Sequence, residues 1–129
     1  MDRKKKILLV EDDAIISLYE KSVFEQAGYA VITARSGEHA VELAESSGPD
    51  ILLMDINLGK GISGVQAAKS ILKKKNFPLI FITSHSAKEV KCMASSIGNF
   101  RYLSKSSPVH VMLSEVKKAV QSASNTCIA

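Results

Sequence analysis

Three consecutive acids, Glu11, Asp12 and Asp13, directly follow the apolar run Ile7-Leu8-Leu9-Val10, and another acid, Asp55, directly follows Ile51-Leu52-Leu53-Met54. Thr83 ends the run Leu79-Ile80-Phe81-Ile82, and Lys105 comes two residues after the short stretch at 100–103. Gathered in one place, these groups suit one kind of chemistry. Neighbouring carboxylates repel, and the repulsion is relieved by protonation or by a cation. Mg²⁺ takes oxygen ligands and shares one or two carboxylates with a phosphate while keeping several waters. A lysine and a hydroxyl donate hydrogen bonds to phosphate oxygens, and a carboxylate can itself be the nucleophile, giving an aspartyl phosphate. Taken singly, Asp55 or Thr83 is a strand-end turn residue and Lys105 a solvated charge. Only their convergence makes a site.

The elements that must position them alternate with little slack. Short apolar runs bounded by polar residues read as buried strands at 7–10, 51–54 and 79–82, with further strands at 29–34 and 100–103. Between them lie helical patterns. The first, 14–27, is expected to turn Ile16, Tyr19, Val23 and Ala27 inward and to stop at Gly28. Ser36 can cap a second helix carrying Ala40, Val41 and Ala44, which ends near Gly48-Pro49. A third, 64–75, turns Val65, Ala68, Ile71 and Leu72 inward; Ser86 can cap a fourth with Val90, Met93, Ala94 and Ile97 on one face. Pro108 suits the first turn of a fifth, with Val109, Met112, Val116 and Ala119 or Val120 facing in.

Five strand–helix units in a row imply an α/β fold with a parallel sheet, and right-handed crossovers put helices on both faces. Strands apolar throughout agree with burial on both sides. In such a sheet ligands bind beyond the carboxyl ends of the strands. The acids, Asp55, Thr83 and Lys105 all fall there, at four separate strand ends.

Composition supports a single folded domain. Apolar residues make up 46 % and charged residues 23 % of 129, an ordinary globular balance. No apolar run approaches the ~20 residues that cross a bilayer, and the basic start at 3–6 leads into too short an apolar stretch for a signal peptide. Cys92 and Cys127 lack metal-type spacing, so a reducing compartment, the cytoplasm, is expected. The net charge of +4 comes largely from two lysine-rich runs, 3–6 and 73–75, without interleaved aromatics. These read as solvated charge, and no nucleic-acid or membrane role is expected of the domain itself.

The order Ile7-Leu8-Leu9-Val10-Glu11-Asp12-Asp13, Leu53-Met54-Asp55-Ile56-Asn57, Ile82-Thr83-Ser84 and Tyr102-Leu103-Ser104-Lys105 resembles the receiver domains of two-component response regulators and hybrid kinases, over most of the chain. The resemblance implies a flavodoxin-like, doubly wound, five-stranded sheet of order 2-1-3-4-5 with five helices, spanning residues 1–123, and a frayed tail at 124–129. It implies a phosphorelay switch and not an enzyme, phosphorylated on Asp55 in a Mg²⁺-dependent reaction. Its Mg²⁺ ligands would be Glu11, Asp12, Asp55 and the Asn57 main-chain carbonyl. Thr83 and Lys105 would bond the phosphoryl group, and Tyr102 would follow Thr83 as a rotamer switch. The implied partners are a histidine kinase or histidine phosphotransfer protein and a downstream protein. Asp13 reads instead as a helix-start residue, where a carboxylate favours the helix dipole.

Two departures from that family pattern stand out. Lys105 is followed by Ser106 and not by proline, so its loop is expected to run differently. The loop Asn57-Leu58-Gly59-Lys60-Gly61-Ile62-Ser63-Gly64 is glycine-rich and lacks the common proline. Its G-x-G-x-x-G spacing could suggest a nucleotide-binding α/β domain, but it follows the third strand, no acid stands ~20 residues onward, and Asp55 would repel phosphates. A receiver-like interaction module that works without phosphate is the other alternative, and the complete acid–Asp–Thr–Lys set argues against it. His39, His85 and His110 read as solvated or packing residues, with His85 near enough to Thr83 to tune phosphate lifetime.

Overall fold

The computed structural model describes residues 3–128, with side chains to position 122. The element order is β1 (Lys6–Val10), α1 (Ala14–Gln26), β2 (Ala30–Ala34), α2 (Gly37–Ser47), β3 (Ile51–Met54), α3 (Gly64–Lys74), β4 (Leu79–Thr83), α4 (Ala87–Met93), β5 (Arg101–Ser104) and α5 (Val109–Ile128). The five strands form one parallel sheet of order β2-β1-β3-β4-β5. The expected α/β architecture and strand order are the observed ones. The tail expected at 124–129, and Cys127 within it, lie outside the residues whose side chains are described.

Alternate residues along each strand face opposite ways, so the sheet builds two cores. Leu8, Val10, Leu52, Met54 and Phe81 pack with α2, α3 and α4 through Ala40, Ala44, Val65, Ala68, Ile71 and Val90. Ile7, Leu9, Ile51, Leu53, Ile80 and Ile82 pack on the other face with Phe24 of α1 and with Met112, Val116 and Ala119 of α5. β1, β3 and β4 are buried almost throughout, which explains why their sequences show no alternation. The caps expected at Ser36 and Ser86 are observed, and Ser63 is a further one that the sequence reading did not name. Ser36, Ser63 and Ser86 each cap the following helix, the last two in reciprocal capping boxes with Gln66 and Glu89.

Three inward faces differ from expectation. On α1 the buried residues are Ser17, Glu20 and Phe24; Ile16 and Val23 are half-buried, and Tyr19 and Ala27 are exposed. The helix is turned by one residue because the largest apolar side chain, Phe24, takes the core position and meets Tyr29 edge to face at 6.5 Å. α4 is only two turns long, so Met93 falls at its end and is exposed, while Val90, Ala94 and Ile97 are buried. Val109 opens α5 beside the polar loop after Lys105 and is also exposed. β2 begins at Ala30, leaving Tyr29 to donate its N–H to the Phe24 carbonyl in the preceding turn.

Candidate functional site

The sheet's ladder runs one residue beyond the strands and so fixes the backbone of the polar residues. Glu11 N–H donates to the Ala34 carbonyl at 3.1 Å, Asp55 N–H to Val10 at 3.0 Å, and Lys105 N–H to Thr83 at 3.0 Å. Rigid main chain therefore presents Glu11, Asp55, Thr83 and Lys105 at one edge. They line a cavity of about 570 Å³ together with Asp12, Asp13, Asn57, Gly59 and Ser84. Asp55, Glu11 and Thr83 form its closely packed floor, and Asp12 is more open.

Lys105 Nζ holds that floor together. It donates to Asp55 Oδ2 at 2.8 Å and to both Glu11 oxygens at 3.1 and 3.2 Å. Burial would lower the ammonium's pKa, but the hydrogen bonds and charges of Asp55 and Glu11 outweigh it and raise the net value. Glu11 is pushed up to about 8, first by burial and then by the adjacent Asp55, with Lys105 only partly offsetting both. One lysine is too little positive charge for this group of acids. Glu11, Asp12 and Asp55 each offer a carboxylate oxygen, all within 4.8 Å of one another. With three carboxylates and neither His nor Cys, the donor set fits a hard divalent cation such as Mg²⁺.

The remaining predicted residues surround this centre. Asn57 N–H donates to Asp55 Oδ1 at 3.3 Å, and its side-chain amide meets His85 Nε2 at 3.1 Å. Thr83 Oγ1 accepts from His85 N–H at 3.3 Å, and Tyr102 Oη donates to the His85 carbonyl at 2.6 Å. His85 thus touches Asn57, Thr83 and Tyr102 at once, with Glu89 Oε2 3.5 Å from its Nδ1. Asp13 is not part of the acid cluster. Its carboxylate caps α1, accepting from Ile15 N–H at 2.9 Å and Ile16 N–H at 3.1 Å.

The loop after Lys105 keeps a trans backbone, with no cis peptide bond among the described residues. Hydroxyls take over the shaping of this turn. Ser104 and Ser106 Oγ atoms lie 2.8 Å apart, Ser106 N–H donates to Ser104 Oγ at 3.2 Å, and Ser107 N–H donates to the Ser104 carbonyl at 3.0 Å. Ser106, which stands in place of the usual proline, forms a side-chain-supported turn with Ser104, and Lys105 reaches Asp55 from it.

Two contributors escape the sequence reading. Glu20, on the buried face of α1, is only 5 % exposed; burial raises its pKa to about 7, with Lys105 pulling it down and Asp55 pushing it up. Its position signals nothing in sequence, because a glutamate within an amphipathic helix reads as surface. The other is the clamp on the glycine loop. A Cβ at Gly64 would lie 1.9 Å from the Asp55 carbonyl oxygen, so only glycine lets α3 start directly against the Asp55 backbone. At Gly61, with φ of +85°, a Cβ would come within 2.7 Å of the Glu38 carboxylate, which accepts the Ile62 N–H at 3.1 Å. The G-x-G-x-x-G spacing therefore serves close packing around Asp55.

The family model for the response regulator receiver domain matches residues 7–117. The transcriptional regulatory protein PdtaR of Mycobacterium tuberculosis is 29 % identical over 117 residues, covering 90 % of this chain and 57 % of its own. The alkaline phosphatase synthesis transcriptional regulatory protein PhoP of Bacillus subtilis is 34 % identical over 103 residues, covering 78 % of this chain and 42 % of its own. The chain thus spans about half the length of these relatives. Among solved structures, the N-terminal domain of a response regulator/sensory box/GGDEF three-domain protein from Carboxydothermus hydrogenoformans superposes with a TM-score of 0.87. It is 35 % identical and covers 95 % of this chain and 99 % of that one.

Proposed function

The chain belongs to the response regulator receiver domain family, and from that premise we propose that Asp55 accepts a phosphoryl group from a phosphohistidine donor, a kinase or a phosphotransfer protein. An Asp55 oxygen attacks phosphorus as the P–N bond to the donor imidazole breaks, leaving an aspartyl phosphate. The observation that carries this reading is the bridge from Lys105 Nζ to both Asp55, at 2.8 Å, and Glu11, at 3.1 Å, beside a carboxylate set suited to a divalent cation. Glu11, Asp12, Asp55 and the Asn57 main-chain carbonyl would hold Mg²⁺, which when bound supplies positive charge for the transferring phosphoryl oxygens.

The domain is read as residues 1–123, acting as a signalling switch. Receiver domains of this family are switches and not conventional enzymes. Phosphorylation adds about −1.5 to −2 charge and three acceptor oxygens. Lys105 then pairs with the phosphoryl group, and the Thr83 hydroxyl turns from accepting the His85 N–H to donating to phosphate. That change frees the His85 main chain, to which Tyr102 is bonded at 2.6 Å, and the surface around α4 and β5 shifts for a downstream protein to read. No helix among the described residues is long and apolar enough to cross a membrane.

The test uses acetyl phosphate with Mg²⁺ and intact-mass measurement. Wild-type protein gains one phosphoryl group, chelation with EDTA prevents it, and Asp55→Asn abolishes it. Undiminished labelling of Asp55→Asn would remove Asp55 from the role.

A further inference from the structure

At the opposite end of the sheet from Asp55 lies a second, larger depression of about 1130 Å³, between α3, the start of β4, the turn before β5 and the middle of α5 at Ala119 and Ser122. Leu72, Phe77, Pro78 and Phe100 are half-buried in its wall, and Lys69, Lys73 and Arg101 stand among them. No acidic residue lines it.

We infer that this groove docks an acidic, partly apolar peptide segment of a partner protein, independently of the Asp55 chemistry. The charge argument comes first. Lys69 and Lys73 are four residues apart on α3, so they face the same way, and like charges at that spacing cost the helix a few tenths of a kcal/mol. Neighbouring cations have been given partners: Lys74 pairs with Glu45 at 2.8 Å and Arg101 with Glu115 at 3.3 Å. Lys69 and Lys73 have no acidic partner among the described residues, and carboxylates along one edge of a bound peptide would supply one for each beside the apolar strip.

The aromatic geometry favours a peptide over nucleic acid. Single-stranded nucleic acid binds by stacking bases on open ring faces. Here Lys75 Nζ sits over the Phe77 ring, 5.3 Å from its centroid. Phe100 is engaged edge to face with Phe81 at 5.4 Å. One ring is already engaged by a cation and the other by a neighbouring ring, so the groove offers apolar area that suits Leu or Phe side chains more than an open stacking platform for bases.

The experiment is a titration of ¹⁵N-labelled protein with a short synthetic peptide of alternating Glu and Leu or Phe. Its controls are the matching Gln peptide and a single-stranded DNA of equal formal charge. Saturable amide shifts should centre on Leu72, Phe77, Ile97 and Phe100 with the acidic peptide alone. Lys69→Glu with Lys73→Glu should weaken binding about tenfold, whereas Lys88→Glu with Lys91→Glu on α4 should change it less than about twofold. A dispersed spectrum of each variant establishes that it is folded, without reference to phosphorylation at Asp55. Absence of saturable shifts, equal loss in the α4 variant, or equally tight DNA binding at the same amides would overturn the inference.

Discussion

Helices α1 and α3 cover opposite faces of the same sheet, yet they bury opposite kinds of side chain. α3 is a regular amphipathic helix. Val65, Ala67, Ala68 and Ile71 go to the core, lysines crowd its C-terminal turn, and a capping box closes its start. α1 turns Ser17 and Glu20 inward beside Phe24, while Ile15, Leu18 and Tyr19 are 81, 70 and 55 % exposed. The hydrophobic effect alone would rotate α1 to hide those three side chains. α1 is held in phase by the Asp13 cap at one end and Phe24 in the core at the other, and that phase buries the Glu20 carboxyl between them at a desolvation cost. α3 buries a full apolar stripe against the core and abuts the Asp55 backbone, whereas α1 anchors through Phe24 and leaves much of its apolar surface in water.

The largest effect should come at the junction. Gly64→Ala places a methyl group 1.9 Å from the Asp55 carbonyl oxygen, and the atoms it meets are Asp55–Ile56 backbone and not a flexible side chain that could move aside. A loss of about 4 kcal/mol or more, or failure to fold, is expected from urea denaturation. Asp55 labelling by acetyl phosphate should fall in any protein that does fold, because the Asp55 main chain moves. Wild-type stability in this variant would mean that α3 does not anchor the site.

Phe24→Ala comes next. It empties a fully buried aromatic site and removes the edge contact with Tyr29, for a cost of about 3–4 kcal/mol. A cost below about 1 kcal/mol would break the account of α1's phase, since the helix would then be free to turn Tyr19 and Val23 inward.

The same contrast explains what could be read from the chain in advance. Strand positions are legible because apolar runs of four or five residues bounded by charge have few other solutions, and the rim follows once those strands are parallel. α3 is legible because its apolar stripe of Val65, Ala68, Ile71 and Leu72 repeats at helical spacing after a glycine-rich loop. α1 is not: Ile16, Tyr19, Val23 and Ala27 fit the helical period as well as Ser17, Glu20 and Phe24 do. Only tertiary volume, the slot that Phe24 fills, separates two stripes one residue apart. At the rim, the residues beside strand ends are legible, whereas Glu20, the Gly64 approach and the Ser104–Ser106 turn depend on distances that no spacing rule encodes.

Glu20 sharpens the comparison through pH. Its carboxyl is raised from the ordinary 4.5 to about 7 by burial, so between those values the folded state binds more protons than the unfolded state. Stability therefore falls as pH rises through that window and levels off above it. Glu11, raised to about 8, adds to the decline in metal-free protein and extends it by about a unit. Glu20→Leu removes one contribution and leaves the other. Its unfolding free energy, relative to wild type, should rise by about 2–3 kcal/mol between pH 5 and pH 8 in EDTA. Parallel pH curves for the two proteins would show that Glu20 is solvated as an ordinary surface acid.

The smallest effect tests the other side of the same helix. Ile15→Ala and Leu18→Ala trim large apolar side chains that are mostly in water, so each should change stability by less than about 0.5 kcal/mol. Ile71→Ala on α3 is the matched control: a side chain of the same type, 3 % exposed, whose loss should cost about 3 kcal/mol. Three urea curves recorded side by side decide the matter. If the α1 substitutions cost as much as the α3 one, the exposed face of α1 is packed against something when folded, and its independence from the core is refuted.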